Sequence, residues 1–139
     1  MFQKEFVADL LPQKFPFVMV DKMYSYTESC IVSGLKVTAD NIFFCNGTFS
    51  EPGLIEHMAQ SVALHTGYQF FLKRELAPTG YIGSIKEIEI FELPKLGDEI
   101  VTTVTVIHEF AGITMVDIVT VINDKHIAKG QMKTVLARD

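Results

Sequence analysis

Apolar positions recur at three-and-four spacing through Leu54, Ile55, Met58, Ala59, Val62, Ala63, Phe70 and Phe71. That period predicts one long helix of roughly 20 residues starting near Pro52. Upstream, Phe2, Phe6, Val7, Leu10 and Leu11 mark a short amphipathic helix that Pro12 stops. The remaining apolar runs have strand character. Phe15 to Tyr24 reads as an extended lead-in to a first strand, and Cys30 to Val37 as a second, joined through Tyr26–Ser29 as a hairpin. Ile42 to Asn46 leads into the loop before the long helix, and Glu75 to Gly80 ends that helix.

After the helix, Tyr81 to Phe91, Glu99 to Glu109 and Ile113 to Ile122 are rich in Val, Ile and Thr. Turn residues at Pro94–Asp98, Ala111–Gly112 and Asn123–Asp124 separate them. In the last run His126, Ala128, Gly130, Met132, Thr134 and Leu136 alternate with Lys129, Gln131 and Lys133, a strand with one polar face. Strands in consecutive runs, not in strand-helix alternation, exclude a doubly wound sheet. The expected class is α+β, an antiparallel meander curved around one long central helix. Such a sheet leaves an exposed edge and uncovered helix ends, so a homodimer or an assembly of dimers is expected.

With 139 residues and 48% hydrophobic content, the chain suits one compact domain over 1–139. The net charge is −5 and no basic run exceeds Lys73-Arg74, which leaves no electrostatic footprint for nucleic acid or an anionic membrane. Two cysteines, Cys30 and Cys45, fit no metal framework and are expected as reduced thiols. The N-terminal stretch has no sustained apolar run, so neither signal peptide nor membrane span is expected, and the location expected is cytoplasmic.

Candidate chemistry gathers where the long helix begins. Pro52 suits a first helical turn, and Gly53 allows close approach to the backbone. Either the helix N-terminus is bare and offers its N–H groups to a partly negative oxygen, or Ser50 or Glu51 caps it in the ordinary way. Glu56 shares a face with Gln60, and His57 shares one with Ser61. A carboxylic acid among apolar neighbours could serve as general acid or base. Adjacent helix residues point about 100° apart, however, so Glu56 and His57 do not share one small pocket within a subunit. Cys45 is either a nucleophile or, more simply, buried beside Phe44. A His57/His65 pair lacks a third ligand for zinc, and His108 and His126 read as surface residues on strands. Phe43-Phe44 and Phe70-Phe71 read as core or as acyl-tunnel lining. Lys14, Lys22, Lys73 and Arg74 are candidates for docking an acidic carrier protein.

Three stretches together resemble a known family. Leu10-Leu-Pro-Gln-Lys-Phe-Pro-Phe-Val-Met-Val-Asp-Lys22, Pro52-Gly53 with Glu56-His-Met-Ala-Gln60, and Ser84 to Phe91 followed by Pro94-Lys-Leu-Gly-Asp98 are similar to motifs of the hot-dog fold. More narrowly, they resemble the 3-hydroxyacyl-(acyl carrier protein) dehydratases of bacterial fatty-acid synthesis. The resemblance implies a hot-dog fold and an acyl thioester on carrier protein or coenzyme A. It implies no organic cofactor and no metal. In that family a loop His and a helix Glu act across a dimer interface, while the helix N-terminus polarises the thioester carbonyl. By this likeness Glu56 matches the Glu, Gly53 or Leu54 supplies the backbone N–H, and Thr48 and Gln60 border the substrate.

The loop reads Gly47-Thr48-Phe49-Ser50, with Thr48 where the family has its His. A threonine hydroxyl is far too weak a base for the proton beside a thioester. Three readings follow. His57, from this or a second subunit, replaces the base beside Glu56 in a rearranged dehydratase site. Alternatively the chain is a non-catalytic partner in a hetero-oligomer with an active dehydratase, as in polyene pigment pathways that borrow fatty-acid chemistry. In the third, it is a hot-dog thioesterase in which one carboxylate activates water.

Overall fold

The computed structural model describes residues 4–76 and 80–136. Phe2 of the first helix, and residues 77–79 of the turn expected after the long helix, lie outside the described residues. The first helix, α1 (Lys4–Asp9), buries Val7, and Leu11 just beyond it is buried as well.

The lead-in at Phe15 does not join the sheet; β1 begins only at Lys22 and runs to Thr27. The cause is local. Pro16 has no N–H to give a ladder, and the Met19 N–H goes to the side chain of Gln60 at 2.7 Å. β2 (Cys30–Lys36) then pairs with β1 as the expected hairpin. Next comes a miniature hairpin of β3 (Phe44–Cys45) and β4 (Thr48–Phe49). Asn46 and Gly47 turn it with φ of 53° and 85°, the two positive angles that an Asn-Gly loop supplies.

The long helix, α2, spans Glu51–Leu72. Four long strands follow: β5 (Gly80–Ile90), β6 (Glu99–Phe110), β7 (Ile113–Ile122) and β8 (Lys125–Leu136). The main sheet is antiparallel, in the order β1-β2-β6-β7-β8-β5. The expected meander therefore fails at one strand: β5 lies beside β8 at the far edge, not beside its sequence neighbour β6. The Pro94–Asp98 turn closes on itself, Asp98 N–H donating to Lys95 O at 3.0 Å. It then docks on the end of β2, with Gly97 N–H donating to Val37 O and Val37 N–H to Asp98 O, both at 2.9 Å. The turn thus delivers β6 to β2 and leaves β5 to seek β8.

α2 lies against β2, β5, β6 and β7. Leu54, Met58 and Leu64 of the helix share a fully buried core with Ile31, Ile100, Val104, Ile118 and Met132 of the sheet. At about 1.5–3 kcal/mol for each fully buried large aliphatic side chain, this face outweighs any propensity difference along the helix. Polar side chains share the same face: His57, Gln60, Ser61 and His65 are buried too. Each of them needs a partner.

Candidate active site

The start of α2 is capped. Ser50 adopts extended backbone angles as N-cap, and its Oγ accepts from the Gly53 N–H at 3.4 Å. The Leu54 N–H is taken by Ser50 O at 2.9 Å. Of the two amides expected to meet a carbonyl oxygen, only that of Gly53 is held by a bond long enough to be exchanged readily. Gly53 is also tightly overlaid: a Cβ there would lie 2.5 Å from Phe43 Cβ and 2.8 Å from Phe49 Cε1. Thr48 stands on β4, half-buried, its hydroxyl 3.4 Å from Cys45 O. Cys45 is exposed, not buried as the simpler expectation had it, because it sits at the tip of the β3-β4 hairpin; Cys30 is half-buried, and both are free thiols.

Glu56 is half-buried on the first turns of α2. Gln60, one turn further, donates from Nε2 to Glu56 Oε1 at 3.0 Å and to Phe17 O at 2.8 Å, while its Oε1 accepts from Met19 N–H at 2.7 Å. Every hydrogen of the amide group is spent, and its orientation is fixed because only the oxygen can face a backbone N–H. Among the described residues no hydrogen bond reaches the second oxygen of Glu56.

His57 is placed otherwise. It is fully buried, with Nδ1 2.7 Å from Met19 O and Nε2 2.8 Å from Thr102 Oγ1. A carbonyl can only accept, so Nδ1 carries the proton and Nε2 accepts from Thr102. The Thr102 hydroxyl in turn accepts from Thr120 at 2.6 Å. Burial lowers the His57 pKa from 6.5 to about 4, outweighing the Met19 carbonyl bond and the charge of Asp21, which favour the cation. The expectation of His57 as a base beside Glu56 therefore meets a neutral ring with both nitrogens occupied. His65 is engaged as well, its Nε2 2.9 Å from Thr27 O.

Sequence reasoning missed Thr102 and Thr120, although a signal existed. Ile100, Thr102 and Val104 alternate inward on β6, and Val116, Ile118 and Thr120 do so on β7. A threonine in a core register implies a buried hydroxyl partner. Of the cations considered for docking, Lys22 is paired with Asp21 at 3.1 Å and Glu99 at 3.5 Å, and Lys73 lies over the Phe70 ring. Among the described residues, no helix is long and apolar enough to cross a membrane.

Comparison with known proteins places this geometry. The family model described as ApeP-like, ApeP dehydratase, matches residues 6–139. The chain is 27% identical over 133 residues to the 3-hydroxyacyl-(acyl-carrier-protein) dehydratase FabZ of Vibrio cholerae, covering 91% of this chain and 86% of that protein. With FabZ of Escherichia coli the identity is 27% over 144 residues, covering 99% and 94%. Among solved structures, the dehydratase heterocomplex ApeI:P from Xenorhabdus doucetiae superposes with a TM-score of 0.84 at 14% identity, covering 96% of this chain and 91% of that one. The protein smu.793 of Streptococcus mutans, bound to acetyl CoA, superposes with a TM-score of 0.70 at 15% identity, covering 91% and 95%. With a long helix packed against a six-stranded antiparallel sheet and a family match along nearly its whole length, the chain belongs to the ApeP-like dehydratase family and is a hot-dog, dehydratase-like protein.

Proposed function

We propose that this chain acts on 3-hydroxyacyl thioesters, carried on acyl carrier protein or coenzyme A, and contributes the Glu56 carboxyl group to a dehydration site that a second, different subunit completes. The observation that carries this reading is the contrast between two neighbours on α2. Glu56 is half-buried with one oxygen held by Gln60, whereas His57 is fully buried with both nitrogens engaged. The chain thus presents an acid and withholds its adjacent base. The relative whose fold superposes at 0.84 is itself a dehydratase heterocomplex, which supports a partnered site.

In the reaction, the partner's base removes a proton from C2. Charge moves towards the thioester oxygen, and the C3–O bond breaks as Glu56 protonates the departing hydroxyl. The products are an enoyl thioester and water. The Gly53 N–H, weakly held by Ser50 at 3.4 Å, is the backbone donor that a carbonyl oxygen could claim. Loss of either acid or base in such a step costs typically 10²–10⁴-fold. Thr48 borders this position, and Phe43 at the α2 start suits an acyl wall. The reading carries with it a cytoplasmic location and a dimeric assembly through a sheet edge.

The test is hydration of an enoyl thioester, on carrier protein and on coenzyme A. It is run with the protein isolated in its native assembly and with the chain alone, each as wild type and Glu56→Gln. Expected is activity in the assembly, a loss of at least about 100-fold in Glu56→Gln, and little activity from the chain alone. Equal hydration by the chain alone would overturn the need for a second subunit. Glu56-dependent hydrolysis without hydration would make the protein a thioesterase. Unchanged hydration in Glu56→Gln would make it a non-catalytic partner.

A further inference from the structure

A continuous run of hydrogen bonds crosses the interior from the sheet to Glu56. It starts at Thr120 on β7, passes to Thr102 on β6 at 2.6 Å, and reaches His57 Nε2 at 2.8 Å. His57 Nδ1 then donates to the carbonyl of Met19 at 2.7 Å, and the N–H of the same residue donates to Gln60 Oε1 at 2.7 Å. Gln60 ends the run on Glu56 Oε1 at 3.0 Å.

Each link restrains the next. Residues 17–19 belong to no strand, so no ladder holds them; Phe17 N–H donates to Lys14 O at 2.9 Å, while Phe17 O, Met19 N–H and Met19 O are tied to two side chains of α2. Phe17 O and Met19 N–H together set the plane of the Gln60 amide, and His57 anchors Met19 from the other side. Were Met19 to move, Gln60 would lose the N–H that fixes which way its amide points, and the donor to Glu56 would be lost with it. We propose that His57, braced by Thr102 and Thr120, is a positioning residue that holds the 17–19 segment and, through Gln60, sets the orientation of the Glu56 carboxyl group.

This inference rests on Glu56 being the acting carboxyl group, yet its geometry can be measured without turnover. It gives a role to a histidine whose ring is closed to substrate, and explains why two inward threonines are opposite each other on adjacent strands, in register at Thr102 and Thr120. Removing the Thr102 hydroxyl leaves Nε2 without its donor while keeping the side-chain volume. Replacing His57 by asparagine keeps an N–H donor near the Met19 carbonyl, whereas alanine removes it.

The experiment measures hydrogen exchange of the Gln60 side-chain amide by NMR, beside kcat and KM for enoyl-thioester hydration in the native assembly. The variants are Thr102→Val, His57→Ala and His57→Asn, with Val104→Ala as a core control whose side chain has no hydrogen bond to give to the run. Expected are exchange at least about tenfold faster in Thr102→Val and His57→Ala than in Val104→Ala, with partial restoration in His57→Asn. A fall in kcat larger than any change in KM should accompany it. Exchange in Thr102→Val and His57→Ala no faster than in Val104→Ala would overturn the proposal. If no assembly hydrates the thioester, the catalytic reading fails while the amide exchange still decides the positioning.

Discussion

Ser33 Oγ lies 2.6 Å from Ser61 Oγ, both fully buried, and this contact ties β2 to the middle of α2. The Ser61 hydroxyl already donates its one hydrogen to His57 O at 2.9 Å. The hydrogen between the two serines must therefore come from Ser33. The pair is asymmetric: Ser61→Ala strands a buried donor on Ser33, whereas Ser33→Ala removes only the bond that Ser61 accepts and leaves its donated bond to His57 O in place. Ser61→Ala is expected to cost about 1–3 kcal/mol and Ser33→Ala clearly less, with the double variant close to Ser61→Ala or better. Urea denaturation of the three variants checks this; equal single-variant costs would reverse the assigned direction of the bond.

The buried His57 makes stability fall with acid. Its folded pKa of about 4 lies below the ordinary 6.5, so between these values the unfolded chain binds a proton that the folded chain refuses. The folded state therefore loses stability as pH drops from 6.5 towards 4, and this group adds no further loss below that. The full effect is on the order of 3 kcal/mol. Denaturation midpoints measured across this window should decline for wild type, and the decline should be largely absent in His57→Asn. An equal slope in both would place the acid sensitivity elsewhere.

Much of this architecture is legible in the chain. The period of three and four, begun at Pro52, finds α2 because a helix of that length repeats its apolar face several times, and Val-, Ile- and Thr-rich runs find β6 and β7. The position of β5 is not legible, because its hydrogen bonds go to β8, dozens of residues away, while the tight turn at Pro94–Asp98 suggests a local hairpin. The β3-β4 hairpin left a signal in Asn46-Gly47, but two-residue strands carry no alternation to notice. At the site, Glu56 stands out by resemblance. The fate of His57 does not, because a buried histidine is recognised by its partners: Thr102 lies 45 residues on and Met19 38 residues back. Apolar periodicity counts such a residue as solvent-facing.

Gln60 offers a sharper test of the site than truncation. Its Nε2 donates to both Phe17 O and Glu56 Oε1. Gln60→Glu turns that double donor into an oxygen facing two acceptor oxygens, Phe17 O and Glu56 Oε1, while retaining the volume. Near neutral pH the substitution is expected to destabilise by at least about 2 kcal/mol, more than a lost hydrogen bond alone. Part of this should return as pH falls towards 5, since a protonated acid again offers one hydrogen. The recovery runs opposite to the His57 effect, so the variant should show a flatter or inverted stability profile between pH 7 and 5. A wild-type-like slope would mean that the amide does not face Glu56.

α2 and the N-terminal segment approach closely at Gly67. A Cβ at this position would overlap the Leu10 carbonyl oxygen, a backbone atom that cannot step aside as a side chain would. Glycine normally weakens a helix interior by about 1 kcal/mol relative to alanine, so Gly67→Ala would stabilise an isolated helix. In the folded chain the clash wins. Leu10 follows α1, whose Val7 is buried and whose last turn bonds Leu10 N–H to Val7 O at 3.0 Å; displacing that carbonyl pushes α1 and Leu11 off the core. Gly67→Ala is expected to cost about 1–3 kcal/mol in spite of its helix propensity, with faster amide exchange confined to residues 4–11. A stabilised variant would show that the N-terminal segment docks more loosely than this contact requires.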